Sequence, residues 1–420
     1  MITNHRRQKY ITSRRNQRCD MAERNLDFDK ITDRRNTNCL KYDFAVKRGM
    51  PEDVLPLWVA DMDFKTSSYI EDAVIERTKH GIFGYSEVQT PYFETVRSWM
   101  KKHHDWDVQE KWLIKTPGVV FALAMAVKAY TAPGDAVLIQ SPVYYPFSEV
   151  IADNGRRVVS STLVLGNDNR YHMDVADFEE KLKAENVKLF FLCNPHNPAG
   201  RVWTAAELTI LAALADKYEI LVIADEIHGE FVFGSTPYTP YASVTAHNPQ
   251  KTVTLSAASK TFNLAGLQNA FIVAESAEQR RKIDRAINDN ECCDVNPFGV
   301  AATIAAYNEG EAWLYALLAY LHDNARVTTD WFKKTCPAVT FSRLEGTYLM
   351  WADCRSLRIT SQTIEDELLA HEKVWINAGS HYGAAGEGFI RLNIAMPRAR
   401  LMEGLKRLTD GIRRLSRKTP

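Results

Sequence analysis

The sequence predicts an α/β protein of two lobes: a large, doubly wound domain around a mostly parallel sheet, then a smaller α+β domain. Three observations lead there. From about residue 112 to 274, short apolar runs alternate with longer amphipathic ones, the pattern of repeated β-α units. The 420 residues, 45% of them hydrophobic, exceed what one ordinary domain requires and can bury a large core. After Asn296-Pro297 the alternation gives way to a long helical stretch and then to scattered β-like runs. The expected divisions are a partly disordered extension over 1–43, an arm with the large domain over 44–296, and the small domain over 297–420.

The strands expected in the large domain are 136–140, 189–193, 221–224, 252–255 and 270–274, each a short run rich in β-branched or other apolar residues. Helices are expected over 119–130 and 205–217, the second after Thr204 with Glu207 placed as in a capping box. In the small domain the pattern predicts helix over 299–334 and strands at 349–353, 374–377 and 389–394. A final helix over 399–415 carries one apolar stripe of Leu401, Leu405, Leu408, Ile412 and Leu415.

Composition excludes several function classes. With 52 basic and 52 acidic residues the net charge is +0, so nothing draws the chain toward nucleic acid or an anionic membrane. Seven irregularly spaced cysteines fit neither a disulfide framework nor a structural zinc site, and point to reduced thiols in a cytoplasm. No apolar run approaches a membrane span or a signal peptide, and no metal site is expected. The opening segment, with Arg6, Arg7, Lys9, Arg14, Arg15 and Arg18, reads as disordered. A transit peptide, a nucleic-acid-binding arm and translation begun upstream of Met21 are all compatible with it.

Doubly wound sheets carry their ligands beyond the carboxyl ends of the strands, so the residues just after each apolar run are the functional candidates. Lys260 follows the 252–255 run among small residues, in Leu255-Ser256-Ala257-Ala258-Ser259-Lys260-Thr261. By itself it would be a helix-start lysine; as a reactive amine it would form a Schiff base with a carbonyl, chemistry that pyridoxal 5'-phosphate exploits. Asp225 ends 221–225, where an aspartate either caps the next segment or, beside a pyridoxal lysine, keeps the ring nitrogen protonated. Asn197, in the turn Asn194-Pro195-His196-Asn197-Pro198, is either a plain turn residue or an amide donor to the cofactor's phenolic oxygen. Gly118, Val119 and Val120 open a helix whose first amides could cradle a phosphate, with Ser256 and Ser259 as further donors. Tyr144 offers an aromatic face for a pyridine ring, or ordinary packing. Arg391 sits in the apolar run 389–395, either paired with an internal carboxylate or clamping the α-carboxylate of an amino-acid substrate.

Taken in chain order, the Gly118 turn, Tyr144, Asn197, Asp225, Lys260 and Arg391 resemble the fold-type I pyridoxal-phosphate enzymes of the class I/II aminotransferase superfamily, from about Phe44 to the C-terminus. Narrower motifs make the chain most similar to the cystathionine β-lyase, or C-S lyase, branch that includes the MalY and PatB proteins. These motifs are Leu55-Pro56-Leu57-Trp58-Val59-Ala60-Asp61-Met62-Asp63-Phe64, Gly81-Ile82-Phe83-Gly84-Tyr85, Asp225-Glu226-Ile227-His228, Ser259-Lys260-Thr261-Phe262-Asn263 and Arg391-Leu392-Asn393-Ile394-Ala395.

The resemblance implies a PLP-dependent transferase-like fold with a seven-stranded large sheet. It implies a homodimer with shared active sites, in which Tyr85 reaches the phosphate of the neighbouring subunit. Lys260 becomes the catalytic base, His228 lies near the phenolic oxygen, and Trp58 and His381 help shape the substrate pocket. Two departures from the wider aminotransferase pattern, Ala257 and Gln268 where serine and arginine are common, favour the lyase branch. The implied reaction is α,β-elimination from L-cystathionine or a related cysteine thioether. The runner-up is an aminotransferase. A regulatory protein with an aminotransferase-like domain comes third, since residues before Phe44 lack the periodicity of a helix-turn-helix domain.

Overall fold

Seven strands form the large sheet: β1 (Leu113–Thr116), β2 (Ala136–Ser141), β3 (Arg157–Thr162), β4 (Val187–Cys193), β5 (Leu221–Asp225), β6 (Thr252–Ser256) and β7 (Ala270–Val273). In this computed structural model, which describes residues 23–234, 236–245 and 249–418, they lie in the order β1-β7-β6-β5-β4-β2-β3. Only β7 runs antiparallel to its neighbours. Helices cover both faces, so the central strands are apolar throughout rather than alternating, and every residue of β2, β5 and β6 is buried.

The expected strands of the large domain appear within two residues of their predicted limits. Edge strand β3 was not expected: its sequence Arg157-Val158-Val159-Ser160-Ser161-Thr162 is mostly polar, and only Val159 and Ser161 are buried. Helix α1 (Val119–Tyr130) follows β1, and α2 (Ala205–Lys217) follows β4. The capping box of α2 is formed: Glu207 N donates to Thr204 Oγ1 (3.2 Å), and Thr204 N donates to Glu207 Oε2 (2.8 Å). After β6 comes a single helical turn, α3 (Ala258–Thr261), which carries Lys260.

The long helical stretch is two helices, α4 (Pro297–Glu309) and α5 (Glu311–Thr335), broken at Gly310. A Cβ on Gly310 would run into the Phe262 ring and the Ala306 carbonyl, so glycine lets the break pack against the segment that follows Lys260. The small domain holds β8 (Thr340–Phe341), β9 (Leu349–Asp353), β10 (Asn377–Ala378) and β11 (Phe389–Asn393), antiparallel in the order β8-β9-β11-β10. The strand expected over 374–377 divides: Val374–Trp375 pairs in parallel with Leu55–Pro56, while Asn377 begins β10. Helix α6 (Arg398–Lys418) buries Leu401, Leu405, Leu408 and Ile412 completely, each contributing roughly 1.5–3 kcal/mol.

Residues 1–22, with the basic cluster of the opening segment, lie outside the described residues. Residues 23–43, the described part of the expected extension, are folded onto the body. Phe28 is buried against Phe64, Trp313 and Tyr320, with ring centroids 5.2 to 5.7 Å apart, and Arg34 pairs with Asp61 (2.6 Å) and Asp63 (2.7 Å). One aromatic anchor and partnered charges give this segment the order its weak periodicity did not announce. Among the described residues, no helix is long and apolar enough to cross a membrane, and no group of His, Cys, Asp or Glu is arranged to hold a metal ion.

Candidate active site

The carboxyl ends of β1, β2, β4, β5 and β6 converge on a cleft whose empty space, including the part open to solvent, is about 820 Å³. Asp225 closes β5 between Cys193 at the end of β4 and Leu255 of β6. Lys260 rises from α3 directly after β6, and both residues line the cleft with Gly118, Val119, Val120, Tyr144, Asn197, His228 and Ser259. Candidate residues spread along the chain from Gly118 to Lys260 are thus gathered at one place by the parallel topology.

Lys260 donates from Nζ to the carbonyl oxygen of Ala60 (2.7 Å). Burial lowers its pKa below the usual lysine range, Asp61 opposes that, Arg391 adds to it, and Asp225 opposes it. Asp225 is buried, and among the described residues its side chain has one hydrogen bond, from the Ile227 amide (3.2 Å). Desolvation pushes its carboxyl up to about 7, against the lowering effects of that amide and of Lys260. A buried carboxylate so poorly compensated at the cleft floor fits a cationic heterocyclic nitrogen. His228 is buried, and desolvation, reinforced by Lys260 and Arg391, brings its pKa down to about 3, so its ring is neutral. Its Nδ1 has no partner among the described residues.

Gly118 caps α1 in an extended conformation, and a Cβ there would meet no atom within 4 Å. The first amides of α1 have no intrahelical acceptors and open on this free space at the positive end of the helix dipole, a cradle suited to a phosphate. Ser259 adds a hydroxyl to the lining; Ser256 is buried at the end of β6 and does not line the cleft. Tyr144 is fixed by its amide, which donates to the Asn197 carbonyl (2.9 Å).

Arg391, on β11, is buried without a carboxylate partner among the described residues. Nη1 donates to Asn197 Oδ1 (3.2 Å), and Nη2 donates to Asn377 Oδ1 (2.8 Å) and to the Trp58 carbonyl. Nε has no acceptor among the described residues, and the guanidinium lies 5.2 Å from the Tyr382 ring centroid. Among the described residues the internal salt bridge left open by the sequence is therefore absent, and neutral groups hold the cation. Trp58 contributes its carbonyl, but its ring stacks on Trp375 (4.1 Å) and does not line the cleft. His381 is partly exposed, 3.9 Å from Glu365 Oε2. Tyr85 stands away from the cleft of its own chain, 97% exposed.

Sequence reasoning missed Ala60 as an acceptor, Tyr348, whose hydroxyl donates to the same carbonyl (2.9 Å), and the Arg391 partners Asn377 and Tyr382. Nothing local marked them: a backbone carbonyl has no sequence signature, and the three side chains are ordinary core or loop residues until the lobes come together.

The lysine, the buried aspartate, the helix-end cradle and the unpaired arginine fit a phosphorylated pyridine aldehyde joined to an amino acid. Comparison with known proteins agrees. Residues 52–408 match the family model of aminotransferases of class I and II. The chain is 38% identical to cystathionine beta-lyase PatB of Bacillus subtilis (strain 168), covering 91% of this chain and 99% of that protein. It is 33% identical to protein MalY of Escherichia coli (strain K12), covering 92% and 99%. Among solved structures, cystalysin from Treponema denticola, which contains a pyridoxal 5'-phosphate cofactor, aligns with a TM-score of 0.89 at 32% identity over 93% of this chain and 99% of that one. The PLP-bound C-S lyase from Staphylococcus hominis aligns with a TM-score of 0.86 at 31% identity over 92% and 98%.

Proposed function

Since the chain belongs to the class I and II aminotransferase family, and its relatives at 33–38% identity include a cystathionine beta-lyase, we propose that it is a pyridoxal-phosphate-dependent carbon-sulfur β-lyase acting on L-cystathionine or related cysteine thioethers. The net reaction consumes one water and yields a thiol (homocysteine from cystathionine), pyruvate and ammonia. The observation that carries this reading is the buried Arg391 guanidinium, without a carboxylate of its own, beside the Lys260 and Asp225 pair.

The cofactor, when bound, supplies an electron sink that acidifies the Cα–H of an amino acid attached to it. Everything else falls to the chain. Arg391 would clamp the substrate carboxylate, and Asn197, whose oxygen orients the guanidinium, would keep its amide donors for the cofactor's phenolic oxygen. The Val119 and Val120 amides and the Ser259 hydroxyl would hold the phosphate, Tyr144 would cover the ring, and neutral His228 would add no charge near the phenolic oxygen. Asp225 keeps the ring nitrogen protonated. Lys260, with its free-amine form favoured by burial, takes the Cα proton.

In this reading the protein works in the cytoplasm, in amino-acid metabolism and methionine biosynthesis, as a homodimer. Exposed Ile82, Phe83 and Tyr85 support the pairing, since they form an apolar ridge from which Tyr85 would reach the partner's phosphate. The test is an assay of pyruvate and ammonia from the purified holoenzyme across cystathionine, cystine, cysteine and alliin-type conjugates. A keto-acid-dependent half-reaction with no ammonia from any of them would make the protein an aminotransferase instead.

A further inference from the structure

Residues 57–64 form a strap past Lys260 that belongs to no strand or helix, and Ala60 in its middle lines the cleft. Its backbone N–H and C=O groups therefore need partners from outside secondary structure, and two asparagine side chains supply them. Asn393, fully buried at the end of β11, donates from Nδ2 to the carbonyls of Val59 (2.6 Å) and Asp61 (2.7 Å), one on each side of Ala60, while its Oδ1 accepts from the Ala395 amide (2.8 Å). Asn263, three residues after Lys260, accepts from the Met62 amide on Oδ1 (3.0 Å) and donates from Nδ2 to the carbonyls of Met62 (3.0 Å) and Phe64 (3.1 Å). It sits at φ 59°, the left-handed region that asparagine tolerates better than most residues, and so turns the chain back toward the strap.

With its two neighbours held, the Ala60 carbonyl is the one that meets the lysine: it accepts from Lys260 Nζ (2.7 Å) and from the Tyr348 hydroxyl (2.9 Å), which together occupy both lone pairs of the oxygen. A carbonyl is a suitable partner for a base. It accepts from a neutral amine as it does from an ammonium, so it does not oppose the free-amine form, and an amine that donates one N–H to it keeps its own lone pair unused. Arg391, two residues before Asn393 and therefore on the same face of β11, binds the Trp58 carbonyl of the same strap. One strand thus carries both the guanidinium offered to a substrate carboxylate and the amide that fixes the acceptor of the lysine.

We propose that Asn393 and Asn263 are positioning residues for the removal of the Cα proton: by locking the strap they fix the Ala60 carbonyl, which holds one N–H of the free Lys260 amine and leaves its lone pair for the substrate. This rests on Lys260 being the base of the proposed reaction. The proton passes from Cα to the lysine nitrogen, and the same carbonyl then accepts from the ammonium so formed, so the nitrogen need not move between the two states. An amine on a flexible four-carbon stem would otherwise sample many rotamers away from Cα.

The experiment reads the proton transfer without carbon-sulfur cleavage. L-alanine, which has no β leaving group, is kept with the holoenzyme in D2O, and proton NMR follows the replacement of its Cα proton by deuterium. Rates are counted per site that shows the visible absorbance of the lysine-bound cofactor, so empty or unfolded molecules do not enter. Asn393→Ala and Asn263→Ala are each expected to slow the maximal exchange rate roughly ten- to a hundred-fold, the scale on which a misplaced catalytic group acts. The half-saturating alanine concentration should stay within about threefold of the parent, because Arg391 keeps its bonds to Asn197 and Asn377. Titration of the cofactor-free chain with pyridoxal 5'-phosphate should likewise give a Kd within about threefold, since neither asparagine lines the cleft. A maximal rate unchanged in either variant, or a loss that lies in half-saturation or in cofactor affinity instead, overturns the proposal. If Asn393→Ala lacks a cooperative unfolding transition, Asn263→Ala decides alone by the same criteria. A parent that exchanges the Cα proton but releases no pyruvate from any thioether sinks the lyase reading and leaves the variants to judge this one. A parent that exchanges nothing removes Lys260 as the base, and this inference with it.

Discussion

Arg391 donates from Nη1 to Asn197 Oδ1 across 3.2 Å, joining β11 of the small domain to the loop that follows β4 of the large one. The bond ties the two lobes together at the cleft, because the asparagine that orients the guanidinium also lines it.

Arg391→Ala is expected to raise KM more than it lowers kcat. A charge-assisted hydrogen bond contributes about 1.5–3 kcal/mol, which corresponds to roughly ten- to a hundred-fold in KM. Arg391→Lys should recover only part of this, since an ammonium cannot make the planar two-point contact with a carboxylate. Steady-state kinetics on cystathionine check both, and an unchanged KM would mean that the arginine only ties the lobes together.

Lys260→Ala is expected to abolish both the visible absorbance of the lysine-bound cofactor and pyruvate formation, while far-UV circular dichroism stays as in the parent. The side chain gives up one hydrogen bond, to Ala60, whose carbonyl keeps the Tyr348 hydroxyl. The fold therefore loses little. An active variant would remove this lysine from the chemistry.

How far the site is legible in the sequence follows from how each part is encoded. Lys260, Asp225 and Asn197 stand at or just beyond the ends of buried apolar runs, so strand periodicity alone locates them. Edge strand β3 escapes because its outward face is polar, and α4 and α5 fuse because the need for Gly310 lies in its contact with Phe262 rather than in its neighbours. The hold of Ala60 on Lys260 spans 200 positions, and the charges of Arg34 and Lys41 find their partners only in three dimensions. The stacking of the Trp58 ring on Trp375, in the other part of the chain, is hidden from the sequence for the same reason.

Mixing two inactive variants tests shared active sites. Tyr85 is 97% exposed and lies outside its own cleft, whereas Lys260 lines it. If Tyr85 serves the neighbouring subunit, Tyr85→Ala and Lys260→Ala homodimers are each impaired. Unfolding and refolding them together should then restore pyruvate formation through hybrid dimers holding one intact site. Activity no greater than the sum of the separate preparations would place Tyr85 outside the chemistry.

Asp225 should leave a pH signature on the stability of the cofactor-free chain. Its pKa is raised in the folded state to about 7 by burial, so between the ordinary carboxylate range and about 7 the folded chain binds more protons than the unfolded one. The sign is then fixed: as pH rises through that window, the native state must either keep a proton the solvent would remove or bury a charge, and stability falls. Below the window the carboxyl is neutral in both states, and above it the loss is complete. Asp225→Asn cannot ionise, so the difference in Tm between variant and parent should grow from about pH 4 to about pH 7 and then level off. Glu365, also pushed up to about 7 by burial, is present in both proteins and cancels in that difference, while Glu226, raised chiefly by burial and in small part by Asp225, adds a minor change of the same sign. Adding pyridoxal 5'-phosphate should reverse the order, because a protonated ring nitrogen would compensate the carboxylate in the parent alone. A Tm difference that does not change with pH would show that the buried carboxylate is compensated by another group, and would remove the electrostatic argument for a cationic ring above it.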